Sequence, residues 1–196
     1  MDTEARDYAD RLVALERVWW KRLLNVQAPY QWNLRRRNLG RTLEIGCGIG
    51  RNLASLPSGS VGVDHNLTSV EIARARGFHA LTVEEFFASD DPDLASFDAL
   101  LIAHVIEHMP PAAGVALLQD YLPRLRAGGR VLFICPQERG FASDPTHVRW
   151  TTGEDLQDLA REVGLAPEGW TSFPFPRSAG KAFRYNEFNV IARKPA

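Results

Sequence analysis

Arg41-Thr42-Leu43-Glu44-Ile45-Gly46-Cys47-Gly48-Ile49-Gly50-Arg51 reads as a strand running straight into a glycine turn. Thr42, Leu43 and Ile45 suit a buried strand. Gly46, Gly48 and Gly50 permit positive φ and lack the Cβ atoms that would hold a ligand off the backbone. Alone, G-x-G-x-G fits a dinucleotide site, a nucleoside site or a plain turn. The spacing is not that of a phosphate loop, and no Lys follows. Glu44 lies inside the strand just before the turn. A carboxylate there serves a pyrophosphate badly and a ligand ammonium group well.

Outward from this turn the pattern alternates. On the N-terminal side, Leu12, Leu15, Trp19 and Leu23 recur at helical steps, widened by Trp20, and predict a helix over 4–25. Pro29 opens a second helix, about 29–39. After the turn come a helix over 50–56 and a short apolar strand, 60–64, ending in Asp64. Thr68 and Glu71 form a capping box for a helix over 69–76, and Gly77 ends it. Residues 78–83 form a third strand, 89–96 an acidic loop, and 97–103 a continuous apolar strand broken only by Asp98. Pro110 and Pro111 open a helix to about Arg126, followed by a strand over 130–135. Thr151 and Glu154 cap a further helix ended by Gly164. Residues 166–175 and 184–193 close the chain as an antiparallel pair of strands.

Strands alternating with helices imply right-handed crossovers and an α/β fold, a mainly parallel sheet covered on both faces. Ligands on such sheets bind beyond the carboxyl ends of the strands. That rule gathers the glycine turn, Asp64 and the segments after Val83, Ala103 and Cys135 along one rim. The 196 residues suit one domain, 1–196, with residues 1–40 adding helices to the ligand cleft. A net charge of -1 gives no electrostatic case for nucleic acid or an anionic membrane. No run of apolar residues is long enough to span a bilayer. The acidic start lacks a signal-peptide pattern, and Cys47 and Cys135 form no metal pair, so the expected setting is the cytoplasm.

Four motifs in order resemble those of class I S-adenosylmethionine-dependent methyltransferases: Leu43 to Gly50, then Gly62-Val63-Asp64, then Phe97 to His108, ending Val105-Ile106-Glu107-His108, and Leu125 to Ile134. The resemblance implies a three-layer, Rossmann-like methyltransferase fold, with a seven-stranded sheet carrying one antiparallel strand. It also implies S-adenosylmethionine as cofactor. Glu44 matches the acid near the methionine amino group. Gly46, Cys47, Gly48 and Gly50 match the loop under the cofactor. Asp64 matches the acid that accepts both ribose hydroxyls, and His65 flanks the adenine. Ala103 and His104 match the end of the fourth strand. Thr82 stands where the family usually has an Asp, so the adenine contact passes to Glu84, beside Val83, or to backbone groups.

Transfer to an alcohol calls for a general base, and His is best matched to neutral pH. His108, His147 and His104 are the candidates, with Asp144 in the Asp144-Pro145-Thr146-His147 segment. Asp144, His147 and His108 are also candidate ligands for a divalent cation such as Mg2+. Aromatic residues around 19–32, 150 and 173–185 suit a carbohydrate acceptor. The chain also resembles, loosely, small bacterial sugar O-methyltransferases. The expected function is therefore O-methylation of a sugar or oligosaccharide, by a monomer or homodimer with no nucleic-acid or membrane partner. The alternatives are N- or C-methylation of a small aromatic, quinone-like or amine metabolite, and a catalytically inactive cofactor-binding partner subunit.

Overall fold

The computed structural model describes residues 27–196. The expected helix over 4–25, with Trp19 and Trp20, lies outside the described residues. The chain divides into two compact units, 1–90 and 91–196. Each holds one run of the alternating pattern.

The first unit contains α1 (Ala28–Arg35), β1 (Thr42–Ile45), β2 (Val61–Asp64), α2 (Leu67–Ala75), β3 (Ala80–Thr82) and α3 (Val83–Ala88). Its strands run parallel in the order β3-β2-β1. Leu43 pairs with Val61 and Ile45 with Val63, all four buried, as expected where apolar strands have both faces covered. Cys47, Leu53, Val70, Ala73 and Ala80 pack together, with Leu56 and Phe78 at their edge. The expected helix over 50–56 is only a 3-10 turn, Leu53–Ser55. Gly50 at φ +82 and Pro57 bracket too few residues for an α-helix.

Helix α2 is capped by Asn66 rather than Thr68. The chain turns two residues earlier than expected because the Asn66 N–H donates to Asp64 Oδ1 (2.9 Å), and Asn66 Oδ1 then accepts from the Ser69 N–H (3.1 Å). Helix α3, which the sequence reading does not include, starts on a capping box between Thr82 and Glu85.

The second unit contains β4 (Phe97–Ala103), α4 (Pro111–Tyr121), β5 (Leu125–Pro136), the single turn α5 (Glu138–Phe141), α6 (Gly153–Glu162), β6 (Ala166–Phe173) and β7 (Glu187–Arg193). The strand order is β4-β5-β7-β6. Strands β4 and β5 are parallel; β7 runs antiparallel to both β5 and β6. The two runs supply the seven strands and the one antiparallel strand expected. Asp98, the polar break in β4, takes a hydrogen bond from Arg126 Nε (2.6 Å).

Helix α4 stops at Tyr121, before Arg126, because Pro123 forces a 3-10 turn. Strand β5 starts early, at Leu125, across an irregularity at Gly128, φ +70. Helix α6 is capped one residue later than expected, by Thr152 and Asp155. The Thr151 hydroxyl is spent on Arg149 O (3.3 Å), and Glu154 accepts from Trp170 Nε1 (2.9 Å). Among the described residues no helix is long and apolar enough to cross a membrane.

Candidate active site

In the first unit the glycine turn is built as its sequence demands. Gly46, Gly48 and Gly50 all have positive φ, at +76, +51 and +82. The amides of Gly46 and Cys47 both donate to Val63 O (2.8 and 3.1 Å), which ties the turn to β2. Asp64 completes the tie. Its Oδ2 accepts from the Gly48 N–H (2.8 Å) while Oδ1 accepts from Asn66. A carboxylate has about four lone-pair sites, so each oxygen keeps capacity for one ligand hydroxyl. His65 is half exposed, its Nδ1 3.6 Å from Asp64 Oδ1.

Glu44 is buried beneath the turn. Asn52 Nδ2 donates to its Oε1 (2.8 Å), but Oε2 is buried with no hydrogen-bond partner. Burial raises its pKa to about 8, against the opposing hydrogen bond from Asn52 and with added repulsion from Asp64. An orphaned, desolvated carboxyl is costly on its own and fits a ligand that brings a positive charge. Thr82 Oγ1 is used in capping α3, and Glu84 beside it is exposed.

In the second unit the end of β4 delivers three residues that carry chemistry. Ala103 is buried, and His104 leaves the strand at φ +59, a left-handed conformation rare for a non-glycine residue. Its Nε2 lies 3.0 Å from Glu187 Oε1 and its Nδ1 3.3 Å from Glu107 Oε1. Burial of the ring's inner edge opposes protonation, but the two carboxylates outweigh it and lift His104 to about 10. His104 is therefore an imidazolium at neutral pH, clamped between two acids, and has no lone pair for a substrate proton. Glu107 is fully buried. Burial works to raise its pKa, but the closeness and charge of His104 overcome it and hold the carboxyl below its ordinary value. Glu107 Oε2 accepts from Cys135 Sγ (3.4 Å), whereas Oε1 has no hydrogen-bond partner, since His104 is close but out of line.

His108 and His147 come together through the backbone. Glu107 O accepts from the amides of Val148 (2.9 Å) and Arg149 (3.2 Å), which fastens the 143–150 loop beside the fourth-strand motif. The two imidazole rings meet edge to face, with centroids 4.7 Å apart. His147 Nδ1 lies 2.8 Å from Phe141 O, and His108 Nδ1 lies 3.2 Å from Thr146 O. A carbonyl can only accept, so each Nδ1 carries the hydrogen, and in the neutral ring Nε2 keeps its lone pair. Burial lowers the His108 pKa, opposed by Glu107 and helped by His147. Asp144 acts on His108 through its charge, which favours the protonated ring. Its Oδ1 accepts from the Thr146 N–H (3.0 Å) and Thr146 Oγ1 (2.7 Å), shaping the turn that presents His147. A donor atom from each of Glu107, His108 and His147 lies within 4.8 Å of the others. Asp144, an expected metal ligand, is not in this group, and Glu107 takes its place.

The sequence reading missed Glu187. Its signal is an acid at the start of an otherwise apolar strand. It also missed the buried amides Gln137 and Asn186, which hydrogen-bond to each other (2.9 Å) and to Ser172 (2.8 and 2.9 Å). Their signal is weaker, two polar residues flanking strand ends.

Fold and first-unit turn together define a Rossmann-like α/β protein with a candidate ligand site at a glycine turn. A family profile described as a methyltransferase domain matches residues 16–169, and the chain belongs to that family. No curated protein sequence matches it. Several solved structures are similar. An S-adenosylmethionine-dependent methyltransferase from Archaeoglobus fulgidus is 18% identical, covering 90% of this chain and 98% of its own, with a TM-score of 0.66. DhpI in complex with SAH is 17% identical, with 96% and 93% covered and a TM-score of 0.65. The S-adenosylmethionine-dependent methyltransferase from Mesorhizobium loti is 18% identical, with 84% and 97% covered and a TM-score of 0.59. The fold is thus that of the class I methyltransferases, and the chain is an enzyme of the methyltransferase family.

Proposed function

We propose that this protein transfers a methyl group from S-adenosylmethionine to a hydroxyl of a small polar acceptor, a sugar or oligosaccharide. The cofactor assignment is supported by the orphaned Glu44 Oε2, which matches an ammonium group, and by the spare acceptor sites of Asp64, which match a vicinal diol. The observation that carries the acceptor reading is the His108–His147 pair. Both rings are oriented by backbone carbonyls, and both leave Nε2 for a substrate proton.

Bound at the glycine turn, S-adenosylmethionine would supply the methyl group, its carbon–sulfur bond breaking as the oxygen–carbon bond forms and leaving a thioether, and the histidine pair would take the hydroxyl proton. His104, already protonated, positions the segment through Glu107 and Glu187 rather than acting as base. A carbohydrate acceptor is supported by aromatic faces with polar edges in the second unit. Phe175, Phe183 and Tyr185 pack edge to face, with Phe175 and Tyr185 partly exposed. The free, buried Cys47 and Cys135 support a cytoplasmic setting. The net charge of -1 supports a small-molecule acceptor over nucleic acid.

The test is a screen of isotope-labelled S-adenosylmethionine against mono- and oligosaccharides, with amines and quinone-like phenols alongside. The expected product is an O-methylated sugar. Changing both His108 and His147 to Ala should cut turnover by roughly 10²–10⁴-fold while cofactor affinity stays. Methyl on nitrogen or carbon instead would transfer the reading to the metabolite alternative. Cofactor binding without transfer to any acceptor would make the chain an inactive partner subunit.

A further inference from the structure

We infer that Glu107, His108 and His147 form a binding site for a transition-type divalent cation of the zinc class. The inference rests on the reading of the histidine pair as the hydroxyl's site and changes the pair's part in it: the two Nε2 atoms hold an ion, and the ion acidifies the hydroxyl, whose proton passes to solvent water rather than to the rings.

Three independent observations lead there. The first is proximity, since one donor atom from each residue lies within 4.8 Å of the other two. A small rotation of two half-buried rings brings such a set to the roughly 3.4 Å ligand–ligand spacing of a tetrahedral ion with bonds near 2.1 Å. The second is the orphan. Glu107 Oε1 is buried, in a residue of zero exposure, and accepts no hydrogen bond, with His104 Nδ1 3.3 Å away but out of line. Buried carboxylate oxygens are rarely left so. The third is outer-shell support. Histidine ligands almost always donate their second ring N–H to a carbonyl or carboxylate, and both rings do so, to Phe141 O and Thr146 O. The carboxylate is likewise oriented, by Cys135 Sγ on Oε2.

The donor set selects the ion. Magnesium favours oxygen ligands and keeps several waters. Two imidazoles and one carboxylate suit zinc, cobalt or ferrous iron, with the remaining position open to an acceptor oxygen. Magnesium, the example of a candidate divalent cation given from the sequence, is therefore disfavoured.

Chelator-treated protein titrated with Co2+ tests the site without reference to activity, through the visible d–d absorption of the bound ion and its displacement by Zn2+. One equivalent should bind, Zn2+ should displace it, and excess Mg2+ should not. Glu107→Gln and His147→Ala should each weaken Co2+ binding by about tenfold or more. If Glu107→Gln fails to fold, as judged by circular dichroism, His147→Ala decides, because its side chain is only half buried in a surface loop. Absence of stoichiometric Co2+ binding, equal displacement by Mg2+, or binding unchanged in His147→Ala would overturn the site. Co2+ binding without any hydroxyl methylation would overturn the acceptor reading and leave the site standing. Methylation that proceeds without Co2+ binding would do the reverse.

Discussion

Glu44 shows how one residue's environment favours the ligand proposed for it. Its position was legible because an acid inside an apolar strand is a local anomaly. Its state was not, because burial and the single donor Asn52 are tertiary facts. With its pKa raised to about 8, the carboxyl is largely protonated at pH 7 in the free protein. Binding an ammonium group favours the ionised form, so binding must release a proton there. Cofactor affinity should accordingly rise as pH increases from 6 to about 8 and then level off. Glu44→Gln should abolish that slope and weaken binding by roughly 10- to 100-fold, the equivalent of one charged hydrogen bond. Titration calorimetry across that range checks both. The same shift predicts a stability effect. A folded-state pKa above the unfolded value of 4.5 means that stability falls as pH rises from there to about 8. Glu44→Gln should remove this loss. His104 is the opposite case: its type was legible, and its charge is set by Glu187, far along the chain.

At the scale of elements, the sequence located all seven strands and four of the six helices among the described residues, because apolar runs and prolines are local signals. It misplaced the caps by a residue or two, because a cap depends on which neighbouring hydroxyl is already engaged. Thr151 lost the role to Thr152 through its bond to Arg149 O. Gly62 is a further element-scale feature whose reason lies outside the element. It sits mid-strand in β2, where glycine weakens a sheet. A Cβ there would come within 2.7 Å of Cys47 Cβ and Sγ and 2.8 Å of Leu53 Cδ1. The glycine lets the turn fold down onto the strand it hydrogen-bonds. Gly62→Ala should therefore destabilise the protein by about 1–3 kcal/mol. Urea unfolding should show the lower midpoint with little change in slope.

At the scale of the whole molecule, each unit carries its own group of candidate residues. The first carries the turn, Glu44 and Asp64. The second carries the histidines, the acids that orient them and the aromatic faces. The family was legible because its motifs recur in order along the chain. The carboxylate clamp on His104 and the replacement of Asp144 by Glu107 beside the histidines were not, since both depend on loop geometry fixed by backbone hydrogen bonds to Glu107 O. The proposed function requires S-adenosylmethionine to bind at the glycine turn of the first unit. The measurement that reaches this claim most directly is a calorimetric titration of the protein with S-adenosylmethionine beside Asp64→Asn. A single site is expected in the wild type, with an affinity at least about tenfold lower in the variant, whose amide replaces the charged acceptor proposed for the ribose hydroxyls. No binding to the wild type, or equal binding to both, would contradict it.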